Sequence, residues 1–223
     1  MKDRYRPWNE SARETGLRKR MAQGLKQKGI TDENVLHAFA SVPRHLFAFD
    51  SALIGRAYDD NAFPIAEGQT ISQPFTVAYQ TQMLEVKKGE KILEIGTGSG
   101  YQAAILDELG ARVFTIERVK KLFDLTKSLL PQLGYPTVKC FYGDGFQGLP
   151  AFAPFDKILV TAAAPFVPDD LLKQLKTGGI LVIPVGEGDT QLMKRFTKIS
   201  ESEIKEEVFD AFRFVPMLPG KKI

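Results

Sequence analysis

LEIGTGSGYQ, Leu93 to Gln102, sets Gly96, Gly98 and Gly100 between a short apolar run, KILEI, and a segment of helical pattern, YQAAILDELG, that Gly110 closes. Glycine lets the backbone turn sharply and lets a ligand approach it closely, and the first N–H groups of a helix attract polar or anionic groups. A plain strand-to-helix turn needs one or two glycines, so three in this order point to a nucleotide-like cofactor. Dinucleotide-binding folds space their glycines as G-x-G-x-x-G, the third allowing close helix packing. Tyr101 occupies that third place, which makes an NAD-dependent oxidoreductase the weakest of the cofactor readings.

Outward from this loop the texture alternates. RVFTIE, TVKCFYGD, FDKILVTA and ILVIPVG read as further strands, with helices through KKLFDLTKSLLPQLG and PDDLLKQLKTGG between them. Strands separated by helices of this length require right-handed crossovers and a parallel sheet covered on both faces. The rhythm breaks after ILVIPVG. TQLMKRFTKIS and EIKEEVFDAFRFV are joined by a few polar residues only, which predicts an antiparallel closing hairpin. The expected fold class is therefore α/β, a Rossmann-like sheet of seven strands with that hairpin at one edge.

Upstream, residues 1–73 lack this alternation and read as an N-terminal helical extension on the substrate side, with residues 74–223 as one compact cofactor-binding core. Leu17, Met21 and Leu25 recur every four positions and predict a helix with one buried stripe and a basic solvated face. TDENVLHAFASVP supplies Thr31 or Asp32 as a cap and Val35, Leu36 and Phe39 as an apolar face. His37 and His45, the only histidines, read as ordinary helix or packing residues.

Composition bounds the function class. A net charge of +3 is too small to imply a nucleic-acid partner, although residues 1–30 hold nine Lys or Arg against three acids. The single cysteine, Cys140, excludes an intrachain disulfide, and no secretory leader pattern opens the sequence, so a cytoplasmic protein is expected. No run approaches the ~18 apolar residues of a membrane span. The chain is long enough to bury a core without disulfide or metal staples, and no metal is expected.

Two carboxylates strengthen the cofactor reading. Glu94 precedes Gly96 by two residues, and Glu117 ends the second strand 21 residues beyond Gly96, where a carboxylate can accept from both hydroxyls of a ribose. Asp144, between Gly143 and Gly145, follows the third strand and admits two readings, a plain Asp-Gly turn or a ligand contact.

An acid-bearing strand followed by G-x-G-x-G resembles motif I of the S-adenosylmethionine-dependent methyltransferases, whose fold has seven strands ending in a hairpin. The resemblance then narrows. VPRHLF, FPIAEGQTISQP, LEIGTGSGYQ, GDG, FDKILVTAAAP, GGILVIPVG and RFVP follow in order the pattern of bacterial protein-L-isoaspartate O-methyltransferases, over about residues 14 to 219. Ala66-Glu67 departs from it, standing where a more glycine-rich turn is expected. The resemblance implies a repair enzyme that methylates the free α-carboxylate of L-isoaspartyl residues, acting as a monomer on damaged proteins and peptides. It also implies S-adenosyl-L-methionine as cofactor, S-adenosyl-L-homocysteine as product, and no nucleic-acid or membrane partner.

Site residues follow from the same resemblance. Glu94, Gly96, Thr97, Gly98, Gly100, Glu117, Asp144, Gly145 and Thr161 are implied to hold the cofactor, with Asp144 receiving the adenine amino group. Gln69, Thr70, Ile71, Ser72 and Val215 are implied to meet the substrate, with Ser72 as the catalytic group. The residues of GQTISQP agree with this. Pro74 suits the first turn of a helix through FTVAYQTQML, which makes Ser72 or Gln73 the expected N-cap. Free N–H groups at that helix start, together with a serine hydroxyl, would cradle a carboxylate. Arg213, Val215 and Pro216 are expected to return to the cleft and offer backbone for an extended peptide to pair with. A methyltransferase for RNA or a small molecule would need an N-P-P-Y-like motif where VTAAAP stands, and a module without catalysis would not need Ser72 beside the three acids.

Overall fold

A computed structural model describes residues 7–223. Lys2, Arg4 and Arg6 of the basic N-terminal stretch lie outside the described residues. The chain runs α1 (Ala12–Gln27), α2 (Glu33–Ser41), a two-stranded hairpin of β1 (Phe63–Pro64) and β2 (Thr70–Ile71), and α3 (Pro74–Leu84). The alternating part follows as β3 (Lys91–Ile95), α4 (Tyr101–Glu108), β4 (Arg112–Glu117), α5 (Lys120–Gln132), β5 (Lys139–Tyr142) and β6 (Phe155–Val160). It closes with α6 (Asp169–Lys173), β7 (Leu175–Val185), β8 (Gln191–Lys198) and β9 (Ile204–Phe212).

The seven-stranded sheet has the order β5-β4-β3-β6-β7-β8-β9. Pairing is parallel from β5 to β7 and antiparallel for β7-β8 and β8-β9, as the sequence rhythm predicts. Along β3 side chains alternate between two cores. Ile92 joins a cluster with Ala103, Val113 and Leu159, and Leu93 and Ile95 join another with Phe114, Phe155 and Val160. A parallel strand covered on both faces has no solvent side, which is why KILEI carries apolar residues without a strict period of two. The first cluster extends to Met21, Leu25, Phe39 and Phe47, so the N-terminal helices share the core of the sheet.

One open alternative is settled and two local expectations change. Asp32, not Thr31, caps α2, its Oδ1 accepting from the amides of Asn34 and Val35. Arg18 is not on the solvated face of α1: it is buried, paired with Glu10 at 2.6 Å and donating to Ala40 O at 2.6 Å. The helix read in PDDLLKQLKTGG ends at Lys173, and β7 starts at Leu175, which pairs with Phe155. Two consecutive glycines, Gly178 at φ 80°, oppose helix continuation in that stretch, and the chain extends instead.

From β3 the chain winds outward through β4 to β5 and then returns to β6 on the other flank of β3. Ligands of open α/β sheets bind outside the carboxyl ends of the strands at such a reversal. The segment after β9 crosses this point. Ala163 N donates to Val215 O at 2.8 Å and Met217 N to Ala163 O at 2.7 Å, and farther on Lys222 N donates to Arg118 O at 2.8 Å. The tail therefore spans from the end of β6 to the end of β4.

Candidate active site

Gly96 and Gly100 are glycine for different reasons. Gly96 lies at φ 95°, and a Cβ there would sit 2.5 Å from Thr161 Oγ1, which donates to Ile95 O at 2.9 Å and to Gly96 O at 2.8 Å. Gly100, at φ 86°, precedes α4, and its Cβ would lie 2.7 Å from Thr126 Cγ2 on α5. So Gly96 keeps the loop close to the end of β6, and Gly100 keeps it close to α5. Gly98 is pinned from both sides: its N–H donates to Glu117 Oε2 at 2.9 Å and its carbonyl accepts from Thr126 Oγ1 at 2.7 Å.

The loop forms one wall of a cleft with about 940 Å³ of space, part of it open to solvent. Gln69, Thr70, Ile71, Ser72, Gly96, Thr97, Gly98, Glu117, Gly145, Thr161 and Val215 all line it. Glu94, Gly100 and Asp144, also anticipated from the sequence, do not line it.

Glu94 lies beneath the loop, fully buried, paired in register with Thr115 of β4. Burial pushes its carboxyl up to about 8, against the lowering effect of the Thr115 hydroxyl, and the nearby Glu117 charge adds to the rise. Asp144 is engaged within the protein: Oδ1 accepts from Phe146 N at 2.9 Å and Oδ2 from Gly220 N at 2.7 Å, so it fastens the tail. Glu117 faces the cleft while also accepting from Val119 N at 2.9 Å. Each carboxylate oxygen has two lone pairs, so one donor apiece leaves acceptor capacity for a ribose.

The substrate-side wall is the β1-β2 hairpin, where Phe63 pairs with Ile71 and Pro64 with Thr70. Its turn contains the Ala66-Glu67 departure. Glu67 adopts φ 63°, a left-handed conformation that favours glycine, and its carboxylate reaches Lys121 at 3.2 Å and Lys222 at 3.0 Å. The substituted turn thus ties the hairpin to α5 and to the tail.

Of Ser72 and Gln73, the two N-caps expected for α3, the structure has the second. Gln73 holds the N-cap position without a side-chain cap bond, and Ser72 caps nothing. The Phe75 N–H, expected to be free, donates to Asp60 Oδ1 at 2.8 Å. Asp60 is itself held by Lys28 and by Gln73 Nε2. The Ser72 hydroxyl makes no hydrogen bond among the described residues, which leaves it available to a ligand.

Val215 and Pro216 line the cleft as anticipated. Val215 O accepts from Ala163 N at 2.8 Å, and the Arg213 side chain donates to Asp189 O at 3.2 Å. His45 is buried with Nδ1 2.6 Å from Tyr58 Oη, and burial holds its pKa below the ordinary value; His37 is exposed on α2. Among the described residues no group of three or more His, Cys, Asp or Glu side chains could hold a metal ion.

The cleft also contains residues not singled out from the sequence, including Gln80, Gln102, Arg118 and Leu218. Gln80 shares a face of α3 with Val77, three positions earlier, a periodicity that was legible. Arg118 clamps the tail through Gly220 O at 3.1 Å and Pro219 O at 3.2 Å, and nothing in the local sequence indicates it.

Comparison with known proteins gives a consistent result. The family described as protein-L-isoaspartate(D-aspartate) O-methyltransferase matches residues 17–222. A protein-L-isoaspartate O-methyltransferase of Christiangramia forsetii is 55% identical over 99% of this chain and 100% of its own length. One from Cytophaga hutchinsonii is 56% identical over 91% of both chains. Among solved structures, a protein-L-isoaspartate O-methyltransferase superposes with a TM-score of 0.83 at 28% identity, over 92% of this chain and 67% of its own. A Plasmodium falciparum chain described as the same enzyme in complex with S-adenosyl-L-homocysteine gives 0.78 at 26% identity, over 90% of this chain and 98% of its own. With a family match across nearly its whole length and relatives above half identity, the chain belongs to the protein-L-isoaspartate(D-aspartate) O-methyltransferase family.

Proposed function

We propose that the protein moves a methyl group from S-adenosyl-L-methionine to the α-carboxylate of L-isoaspartyl residues in damaged proteins and peptides, and that the resulting ester collapses to a succinimide that reopens partly as aspartate. The observation that carries this is the meeting of the glycine loop, Glu117 and the Gln69–Ser72 segment in one cleft at the sheet reversal.

The residues fit the cofactor. Gly96, Thr97 and Gly98 supply a close backbone wall, Glu117 keeps acceptor capacity for the ribose, and Gly145 with Thr161 completes the floor. Bound there, S-adenosylmethionine supplies a sulfonium methyl that a carboxylate oxygen can take, with S-adenosyl-L-homocysteine as the product. The substrate carboxyl, with an ordinary pKa near ~3.5, is ionised at neutral pH, so no general base is required. Ser72 is the catalytic group in the sense that its hydroxyl donates to that carboxylate and orients it. The barrier falls through positioning, which supplies on the order of 7–11 kcal/mol when the reacting atoms are held in line. His45 takes no part, being committed to Tyr58.

We assign residues 1–73 to the substrate side and residues 74–223 to the cofactor core; the described residues of the first, from Trp8 onward, share a hydrophobic cluster with the second. We assign the protein as a metal-independent monomer of the cytoplasm whose partners are isoaspartyl proteins rather than nucleic acid or membrane. Among the described residues no helix is long and apolar enough to cross a membrane.

The test uses methyl-labelled S-adenosylmethionine and two peptides of identical sequence, one with isoaspartate and one with aspartate. Base-labile label on the isoaspartyl peptide alone is the expected result. Equal labelling of both, or of neither while the cofactor binds, would remove the substrate assignment.

A further inference from the structure

Gln80 is 1% exposed, yet it lines the cleft. Its Nε2 donates to Val160 O at 2.9 Å and contacts Met193 Sδ at 3.6 Å. Because Val160 O can only accept, the amide orientation is fixed chemically, and Oε1 must be the atom on the other side. No hydrogen bond reaches Oε1, and it is absent from the polar atoms that are both sealed from solvent and unpartnered. The space left to it is the cleft. Beside it, the Thr161 hydroxyl proton is committed to Ile95 O and Gly96 O, so Thr161 Oγ1 too presents lone pairs. This end of the cleft offers acceptors.

Strand order identifies what they would meet. Across β5-β4-β3-β6, the Gly145 loop follows β5, Glu117 ends β4, the glycine loop follows β3, and Thr161 with Gln80 lies at β6. If the ribose is held at Glu117 and the adenine toward β5, the part of the cofactor on the β6 side is its amino-acid end. That end has a single cationic donor, the α-ammonium, and an acceptor there repels its carboxylate.

We propose that Gln80 is a further cofactor-positioning residue, its side-chain carbonyl accepting a hydrogen bond from the α-ammonium of S-adenosylmethionine. This rests on the reading of the cleft as the S-adenosylmethionine site. Fixing that ammonium fixes the sulfonium centre relative to Ser72, so Gln80 acts on the transfer through the cofactor.

Calorimetry tests it with two ligands, S-adenosyl-L-homocysteine and its analogue lacking the α-amino group, against wild type, Q80L and Q80M. Hydrogen bonds to charged groups predict a loss of about tenfold to a hundredfold in S-adenosylhomocysteine affinity for both variants. The deaminated analogue should bind all three proteins alike. Equal weakening for both ligands would mean that Gln80 only shapes the wall, and overturns the proposal. So would unchanged S-adenosylhomocysteine affinity with a raised peptide KM, which would assign Oε1 to a substrate N–H. If wild type binds neither ligand, the cofactor reading itself fails and the proposal with it. Melting curves of Q80L and Q80M identify a folding defect, and the analogue's affinity then separates that defect from a lost ammonium contact.

Discussion

Asp60 Oδ1 accepts the Phe75 N–H at 2.8 Å across 15 residues of chain, capping α3 from outside its own sequence. The helix beside the substrate segment thus starts on a carboxylate supplied by the N-terminal extension, and Lys28 and Gln73 hold that carboxylate in place. Burial alone would raise the Asp60 pKa, but the Lys28, Phe75 and Gln73 contacts outweigh it and hold the group below its ordinary value.

Loss of an N-cap costs about 0.5–2 kcal/mol, and one kcal/mol moves Tm by about 2–4 °C in a chain of this size. D60A should therefore lower Tm by a few degrees and raise the peptide KM, with S-adenosylhomocysteine affinity nearly unchanged. Because the folded pKa is depressed, the Asp60 contribution is present above its unfolded value of ~3.9 and is lost as pH falls through the folded one. Melting curves of D60N should show a flatter acid limb than wild type; an identical limb would exclude Asp60 as the cap that matters.

Ser72 has a hydroxyl committed to nothing in the protein and lies on the cleft wall. A hydrogen bond to a charged group is worth about 1.5–3 kcal/mol, so S72A should lower kcat by about tenfold to a hundredfold. Calorimetry should show cofactor affinity within about twofold of wild type. A matching drop in cofactor affinity would place Ser72 on the cofactor instead.

Glu94 is raised by burial to about 8, so the ligand-free protein holds its proton at neutral pH. The sign follows from linkage: a carboxyl raised on folding contributes stability that is full below its unfolded value of ~4.3 and is lost as pH climbs through about 8. Wild type should lose stability between those limits. E94Q, with similar shape and no titration, should flatten that dependence by about 1 kcal/mol or more, readable as a Tm difference of about 2–4 °C or more between pH 5 and pH 8. Parallel Tm curves for the two proteins would contradict the raised pKa.

Gly100 and Gly178 both have positive φ, but only Gly100 has a neighbour in the way. G178A should cost about 1 kcal/mol from backbone strain. G100A adds the clash with Thr126 and Leu130 and should cost clearly more, with Tm falling further and cofactor affinity dropping as the loop shifts. Equal Tm losses would indicate that α5 yields freely to the added methyl group.

The sequence by itself determined the sheet and the kind of ligand. Alternation of strand and helix texture from Lys91 onward dictates parallel crossovers, and the break after Val185 dictates the antiparallel end, because a short link cannot carry a crossover. The spacing Gly96, Gly98, Gly100 with Tyr101 next excludes the dinucleotide turn for a local steric reason. These properties depend on neighbours in the chain, where residue identity and spacing are enough. Tertiary structure alone decided which polar groups remain free. Asp144 also fastens the tail through Gly220, the α3 amide looked open and is taken by Asp60, and Arg18 looked solvated and is buried against Ala40. Gln80, which the sequence did not single out, lines the cleft while its amide nitrogen is held by Val160 O. A hydrogen-bonding group is satisfied by whatever the fold brings within about 3 Å, and partners 15 to 76 residues away leave no local signature.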